Sequence, residues 1–497
     1  MNIKEAKEEL KHTADAYLAK DELGEYRIPR IRQRPVFLIG PPGIGKTQIM
    51  EQVAKECRIG LVSYTITHHT RQSAVGLPYI REKTFQGKDF SVTEYTMSEI
   101  LASIYQYMED TGLKEGILFI DEINCVSETL APTMLQFLQR KTFGNQAVPE
   151  GWLIIAAGNP PEYNKSVREF DMATLDRARC ITVEADYRVW KEYAKSRKIH
   201  GALMSYLEIR QNNFYRVEAD VDGIQYVTAR GWEDFSHLLY AYEEKQLPVS
   251  DEVVYEYLHH REVAEDVAAY LDLYRKYQDD YGIGEILRGK VKPSVFVRIK
   301  GAAFDERLSV VNLLLDGLAA YFRSVFLERR LTDGFFDFLK SYRVGMQQGG
   351  EPLLEYESRL CKIEETFQKE DREGFLDREG RFLKKRLISL LKKGKPTQEN
   401  LSEKEAFDFA RNCFEGQKGK LIQAETQAAQ ALEYAFDFME EAFGQGEELV
   451  VFVTELSVSR EAAAFLSENV CERYLVYNRQ LLIGSRKQEL LSEIRRE

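Results

Sequence analysis

Apolar and polar positions follow two rhythms along this chain. Between residues 34 and 185, short unbroken apolar runs alternate with segments where apolar residues return every three or four positions. The runs Val36-Phe37-Leu38-Ile39, Gly60 to Ile66, Ile117-Leu118-Phe119-Ile120, Trp152 to Ala157 and Cys180 to Val183 have the length and composition of strands buried on both faces. Between them, Ile49, Met50, Val53, Ala54 and Cys57 share one helical face. So do Ile100, Leu101, Ile104 and Met108, and again Leu130, Met134, Leu135 and Leu138. Strand and helix in alternation predict an α/β fold with a mostly parallel sheet flanked by helices. Tyr79-Ile80 and Phe90-Ser91-Val92, separated by Gln86-Gly87-Lys88, predict a hairpin inserted in it, and residues 1–22 an amphipathic helix in front.

From Tyr187 the strand signal disappears. Helices are expected at 187–198, at 203–210 and from Thr228, which can cap a helix carrying Trp232, Phe235, Leu238 and Leu239. Gly282 to Arg298, rich in Gly and Lys and containing Pro293, reads as a linker or surface crossing. Val310–Leu327, Leu353–Lys393 and Phe407–Phe443 are helical patterns; their charged faces are either solvated or paired with a partner in a coiled-coil-like way. Leu449-Val450-Val451-Phe452-Val453 reads as one late strand before a helix from Arg460. The chain therefore divides into an α/β domain over 1–185, a helical domain over 186–282 and a mostly helical region over 283–497.

A length of 497 residues exceeds a single core, and 44% hydrophobic with 30% charged residues describes a globular protein. A net charge of −12 argues against coating nucleic acid or an anionic membrane. The six cysteines are scattered without a C-x-x-C pair and read as reduced core residues. The start Met-Asn-Ile-Lys-Glu is too charged for a signal peptide and no run approaches a membrane span, so a cytoplasmic protein is expected. The neighbours His68 and His69 lie in a polar stretch, Thr67 to Ser73, without further ligands at metal spacing, and a surface loop is expected there.

The chemistry concentrates at strand ends. Gly40-Pro41-Pro42-Gly43-Ile44-Gly45-Lys46-Thr47 fits the phosphate-loop pattern G-x-x-x-x-G-K-[ST], with a strand before it and a helix after it. Its glycines let successive N–H groups face an anion; Lys46 can reach the β- and γ-phosphates and Thr47 can ligate Mg²⁺. An apolar strand ending in Asp121-Glu122 has no structural use for two acids. Asp121 is the expected partner of the metal held by Thr47, and Glu122 is placed to polarise a water. Asn159, ending the next strand before Pro160-Pro161, is a candidate to orient that water. Arg230 at a helix N-terminus opposes the dipole and suits an anionic ligand, whereas Arg177 at a helix C-terminus is explained by the dipole alone.

These elements in this order resemble the AAA+ ATPases, and within them the MoxR-like branch, over residues 25–275. The carriers are Gly40–Thr47, Asp121-Glu122-Ile123-Asn124, Gly158 to Asn164, Leu175-Asp176-Arg177 and Thr228-Ala229-Arg230. The resemblance implies Walker A residues at Lys46 and Thr47, the Walker B pair at Asp121 and Glu122, and sensor 1 at Asn159. It makes Arg177, or the nearby Arg179, an arginine finger serving the next subunit, and Arg230 a sensor 2 residue in a helical lid. It implies ATP and Mg²⁺ as cofactors and a homo-oligomeric ring, commonly a hexamer. The energy of hydrolysis would go into remodelling or maturing a client protein, often beside a partner with a von Willebrand factor A domain, without stable nucleic acid or membrane insertion. Alternatives are a nucleic-acid motor of the McrB-like kind and an ATP-controlled assembly scaffold. Two features depart from the branch: Lys141–Trp152 is short for the hairpin that members place before sensor 1, and the helical C-terminal extension is large.

Overall fold

The computed structural model describes residues 1–481 apart from 69–71, 73, 75, 144–145, 164–169, 171, 221–222 and 397–401. The chain forms two compact units. One comprises residues 1–190 with 228–231 and 372–375; the other comprises 191–227, 232–371 and 376–497.

The first unit is built on five parallel strands, β1 (Val36–Ile39), β2 (Gly60–Thr65), β5 (Gly116–Asp121), β8 (Trp152–Gly158) and β9 (Arg179–Thr182), in the order β2-β5-β8-β1-β9. All of β8 is buried, and β5 is buried up to Asp121, which is why both are unbroken apolar text. Register aligns Thr65 with Asp121, Ile120 with Ala156, and Ile39 with Gly158, so the strand ends expected to carry the chemistry share one edge. The chain leaves β1 for β2 at the far edge and returns on the other side of β1 as β9. That reversal of strand order marks the crevice where open α/β sheets bind ligands.

Helices α1 (Ile3–Leu18), α2 (Lys46–Cys57), α3 (Glu99–Thr111), α4 (Ala131–Arg140), α5 (Met172–Arg177) and α6 (Tyr187–Arg197) follow in chain order. Asn2 and Glu5 form a capping box on α1, whose Ala6, Leu10 and Ala14 are buried. The residues of α2 and α3 expected on one face are indeed buried: Ile49, Met50, Val53 and Ala54, then Ile100, Leu101 and Ile104. The expected hairpin is present as β3 (Pro78–Phe85) and β4 (Lys88–Tyr95), turning at Gln86-Gly87; Ile80, Phe85 and Phe90 on it are exposed. In the stretch Lys141–Trp152, β6 (Thr142–Phe143) and β7 (Gln146–Ala147) pair as a hairpin of two-residue strands.

Several expectations for the second unit are corrected. Strand structure does not end at Tyr187: β10 (Arg216–Asp220) pairs antiparallel with β11 (Gly223–Val227), between helices α7 (Gly201–Ile209) and α8 (Ala229–Glu244). Gly282–Arg298 is not a linker. After α9 (Asp251–Leu258) and α10 (Arg261–Tyr281), Gly282 at φ 60° ends a helix, α11 (Ile283–Ile286) follows, and Pro293 opens α12 (Pro293–Lys300). Ile283, Ile286, Leu287, Val295 and Ile299 are buried, so Gly and Pro punctuate helices here. After α13 (Phe304–Gln347), α14 (Pro352–Arg372), α15 (Arg378–Lys393) and α16 (Glu403–Phe443), the run Leu449–Val453 is helical, within α17 (Glu447–Val458). Its buried residues Leu449, Phe452, Val453 and Leu456 recur at helical spacing, a period that a five-residue window hides. A short helix, α18 (Arg460–Glu468), follows.

Among the described residues, α13 is long and apolar enough to cross a membrane by length and composition, where no such run was expected. In its unit, α13 packs against α7, α10 and α15 to α18, with Val310, Val311, Leu314, Leu318 and Phe322 buried. The cysteines are free as expected, but only Cys471 is buried; Cys180 on edge strand β9 and Cys361 are exposed.

Candidate active site

The phosphate loop joins β1 to α2. Gly43, at φ 73°, packs so tightly that a Cβ there would lie 2.7 Å from Thr228 Cβ, and Gly45, at φ 97°, caps α2 in the left-handed region. Ile44 is buried and anchors the loop, while Pro41, Pro42 and Gly43 are half-buried and Gly40 is buried at the strand end. The first N–H groups of α2 and its positive dipole end thus face the space above β1, as an anion site requires.

Lys46 is buried, and its Nζ donates to Gly40 O at 2.7 Å, Pro41 O at 2.8 Å and Asn159 Oδ1 at 2.8 Å. Burial pushes its pKa down to about 8; Asp121 acts in the opposite sense and the Arg230 charge lowers it further. Phosphates favour the charged ammonium, so nucleotide binding should raise this pKa and take up a proton. ATP affinity is therefore expected to fall as pH rises above about 8, by up to about tenfold per pH unit. Titrating affinity in two buffers of different ionisation enthalpy checks this, since proton uptake changes the apparent heat; a flat affinity from pH 7 to 9.5 would contradict it.

At the end of β5 the Thr47 hydroxyl donates to Asp121 Oδ2 at 2.9 Å, and Asp121 Oδ1 accepts from the Glu122 N–H at 2.9 Å. Two hard oxygen ligands this close fit one face of a Mg²⁺ shell otherwise filled by phosphate and water. Glu122 sits at φ 57°, turning its carboxylate off the strand direction, where Oε2 accepts from Thr67 Oγ1 at 2.9 Å. Thr67, just past β2, was legible only as part of a polar loop. Its hydroxyl competes for the lone pair that a general base would use. Thr67→Val is therefore expected to raise basal hydrolysis up to about fivefold, the equivalent of one hydrogen bond of about 1 kcal/mol. Steady-state phosphate release measures this; a fall in rate would make Thr67 a support for Glu122 instead of a restraint.

Asn159 follows β8, and its carbonyl accepts from Asn124 Nδ2 at 2.7 Å. From the start of α8, the Arg230 N–H donates to Gly43 O at 3.1 Å, and the Thr228 hydroxyl caps the helix by accepting from the Gly231 N–H at 3.2 Å. The structure thus brings Lys46, Thr47, Asp121, Glu122, Asn159 and Arg230 to one loop system. Arg177 stands apart: exposed at the end of α5, it donates to Gln139 Oε1 on α4 at 2.9 Å. Arg179 is spent within the unit, on Thr13 Oγ1 at 2.5 Å and on Glu9. Among the described residues no cluster of three or more His, Cys, Asp or Glu could hold a metal. His69, Asn164 and Asp171 lie outside the described residues, as does the His68 side chain.

No curated protein matches this chain. Residues 35–178 match the family model of the AAA domain, dynein-related subfamily, and the matched segment carries the phosphate loop, Asp121-Glu122, Asn159 and Arg177.

Proposed function

We propose that the protein is a Mg²⁺-dependent ATPase of the MoxR-like kind that works as a ring and spends hydrolysis on remodelling or maturing a client protein. The observation that carries the ATPase reading is the convergence of Lys46, the Thr47–Asp121 pair, Glu122 and Asn159 at one edge of the sheet. The reaction is in-line attack of water on the γ-phosphate, in which the protein positions groups and neutralises charge. Lys46 exchanges the carbonyls of Gly40 and Pro41 for phosphate oxygens, Arg230 adds a second cation, and the loop N–H groups hold the phosphate chain. Thr47 and Asp121 would hold Mg²⁺, which neutralises phosphate charge. Glu122, released from Thr67, accepts the water's proton, and Asn159 fixes the water's orientation. Arg177 completes the site of a neighbouring copy.

Support for the ring comes from the contrast between exposed Arg177 and internally paired Arg179. Residues 186–282 would serve as the lid carrying Arg230, with 283–497 as the region that sets the client or a von Willebrand factor A partner, in the cytoplasm. Release of phosphate from Mg²⁺·ATP by the full chain tests the reading. Tight ATP binding that persists through many minutes without phosphate release would replace it with an assembly switch.

A further inference from the structure

We propose that Asn124 is a positioning residue for hydrolysis, a link that sets the Asn159 turn relative to the Glu122 turn; the inference rests on the ATPase reading above. Asn124 follows Glu122 in the 3₁₀ turn Ile123–Cys125 and is 5% exposed. Its Nδ2 donates to the Asn159 carbonyl at 2.7 Å, while its buried Oδ1 meets no donor among the described residues. The amide lies flat on the backbone of Gly158: a Cβ there would sit 2.6 Å from Asn124 Oδ1 and 2.8 Å from its Cγ. Any other residue at 158 would therefore push the amide away from the turn it holds.

The energetics favour a positioning role over simple filling. Leaving a buried amide oxygen without a partner costs about 1–3 kcal/mol, which an apolar residue of the same shape would avoid. What Asn124 supplies in return is one directed bond to the residue whose side chain accepts from Lys46. Through that bond the two groups that handle the attacking water, Glu122 and Asn159, sit at opposite ends of a short connection running Glu122–Asn124–Asn159. Asn124 itself contacts neither the phosphate loop carbonyls nor the Thr47–Asp121 pair in the hydrogen bonds seen here, so it should act on turnover and not on nucleotide capture.

The test compares full-length wild type, Asn124→Ala, Asn159→Ala and the double variant. Phosphate release gives kcat and KM, a fluorescent ATP analogue gives Kd, and thermal unfolding gives stability. Displacing a reacting group by about 1 Å costs on the order of 10²-fold, so Asn124→Ala should lower kcat by about ten- to a hundredfold with Kd within about twofold. The double variant should be no slower than Asn159→Ala alone, because the link acts through Asn159. Unchanged kcat in Asn124→Ala, or effects that multiply in the double variant, would overturn the proposal. Where Asn124→Ala fails to fold, Gly158→Ala decides: its new Cβ wedges the amide aside, and normal kcat there overturns the proposal equally. Absence of turnover in wild type would instead sink the ATPase reading.

Discussion

Glu122→Gln is expected to bind Mg²⁺·ATP about as well as wild type and to hydrolyse it about 10²–10⁴ times more slowly. The side chain keeps its shape and can still accept the Thr67 hydrogen bond through its amide oxygen, so the turn at Ile123–Cys125 should survive. What is lost is the carboxylate that takes the water's proton in the proposed mechanism. Lys46, Thr47 and Asp121, which in the proposed mechanism meet the phosphates and metal, are untouched. A single-turnover experiment with radiolabelled ATP separates the two quantities: binding amplitude stays and the rate constant of hydrolysis drops. Wild-type turnover in Glu122→Gln would move the base elsewhere. A loss of binding in proportion to the loss of rate would mean that Glu122 acts in the ground state. The same variant, holding ATP, is the one to use for capturing a client.

Much of the first unit was legible because its sheet is buried on both faces. Ile117–Ile120 and Trp152–Ala157 had to be apolar without interruption, and the polar residues that end them therefore stand out as candidates for chemistry. The phosphate loop was legible for the related reason that its glycines answer local backbone demands at Gly43 and Gly45. The contacts of Thr67 and Asn124 were not legible. Each is a hydrogen bond to a residue brought near by folding, Glu122 and Asn159 respectively, and a lone Thr or Asn in a turn carries no such mark in the text. In the second unit the errors follow from windows too short for their periods. Val450-Val451-Phe452-Val453 has strand composition, yet a propensity difference of a few tenths of a kcal/mol per residue yields to burial of Leu449, Phe452, Val453 and Leu456 on one helical face. Arg216–Asp220 and Gly223–Val227 form a hairpin whose mixture of charged and apolar residues resembles loop text. Gly282 and Pro293 read as breaks in the fold, yet each marks only the end or start of a helix.

Arg177→Ala is expected to cost about 10³–10⁵ in turnover of the assembled protein, the usual worth of an arginine finger, while a dilute single chain should lose little. The distinction follows from placement. Arg177 lies exposed on a six-residue helix and, among the described residues, donates a hydrogen bond to Gln139 on the surface of its own unit. Lys46 is buried at the phosphate loop and bonded to Asn159. A cation that helps the γ-phosphate must come from outside the chain if Arg177 is to be that cation. Specific activity of wild type should therefore rise with protein concentration, and that rise should vanish in Arg177→Ala. Mixing supplies the decisive comparison. Lys46→Ala chains cannot bind phosphate but still carry Arg177, so adding them to Arg177→Ala chains should restore part of the turnover, each mixed interface pairing an intact loop with an intact finger. Arg179→Ala should behave differently, losing its contacts to Glu9 and Thr13 and so stability of the first unit, without this complementation. If Arg177→Ala is already as active as wild type at concentrations where chains associate, or if mixing restores nothing, Arg177 belongs to its own surface and the site is completed by another group.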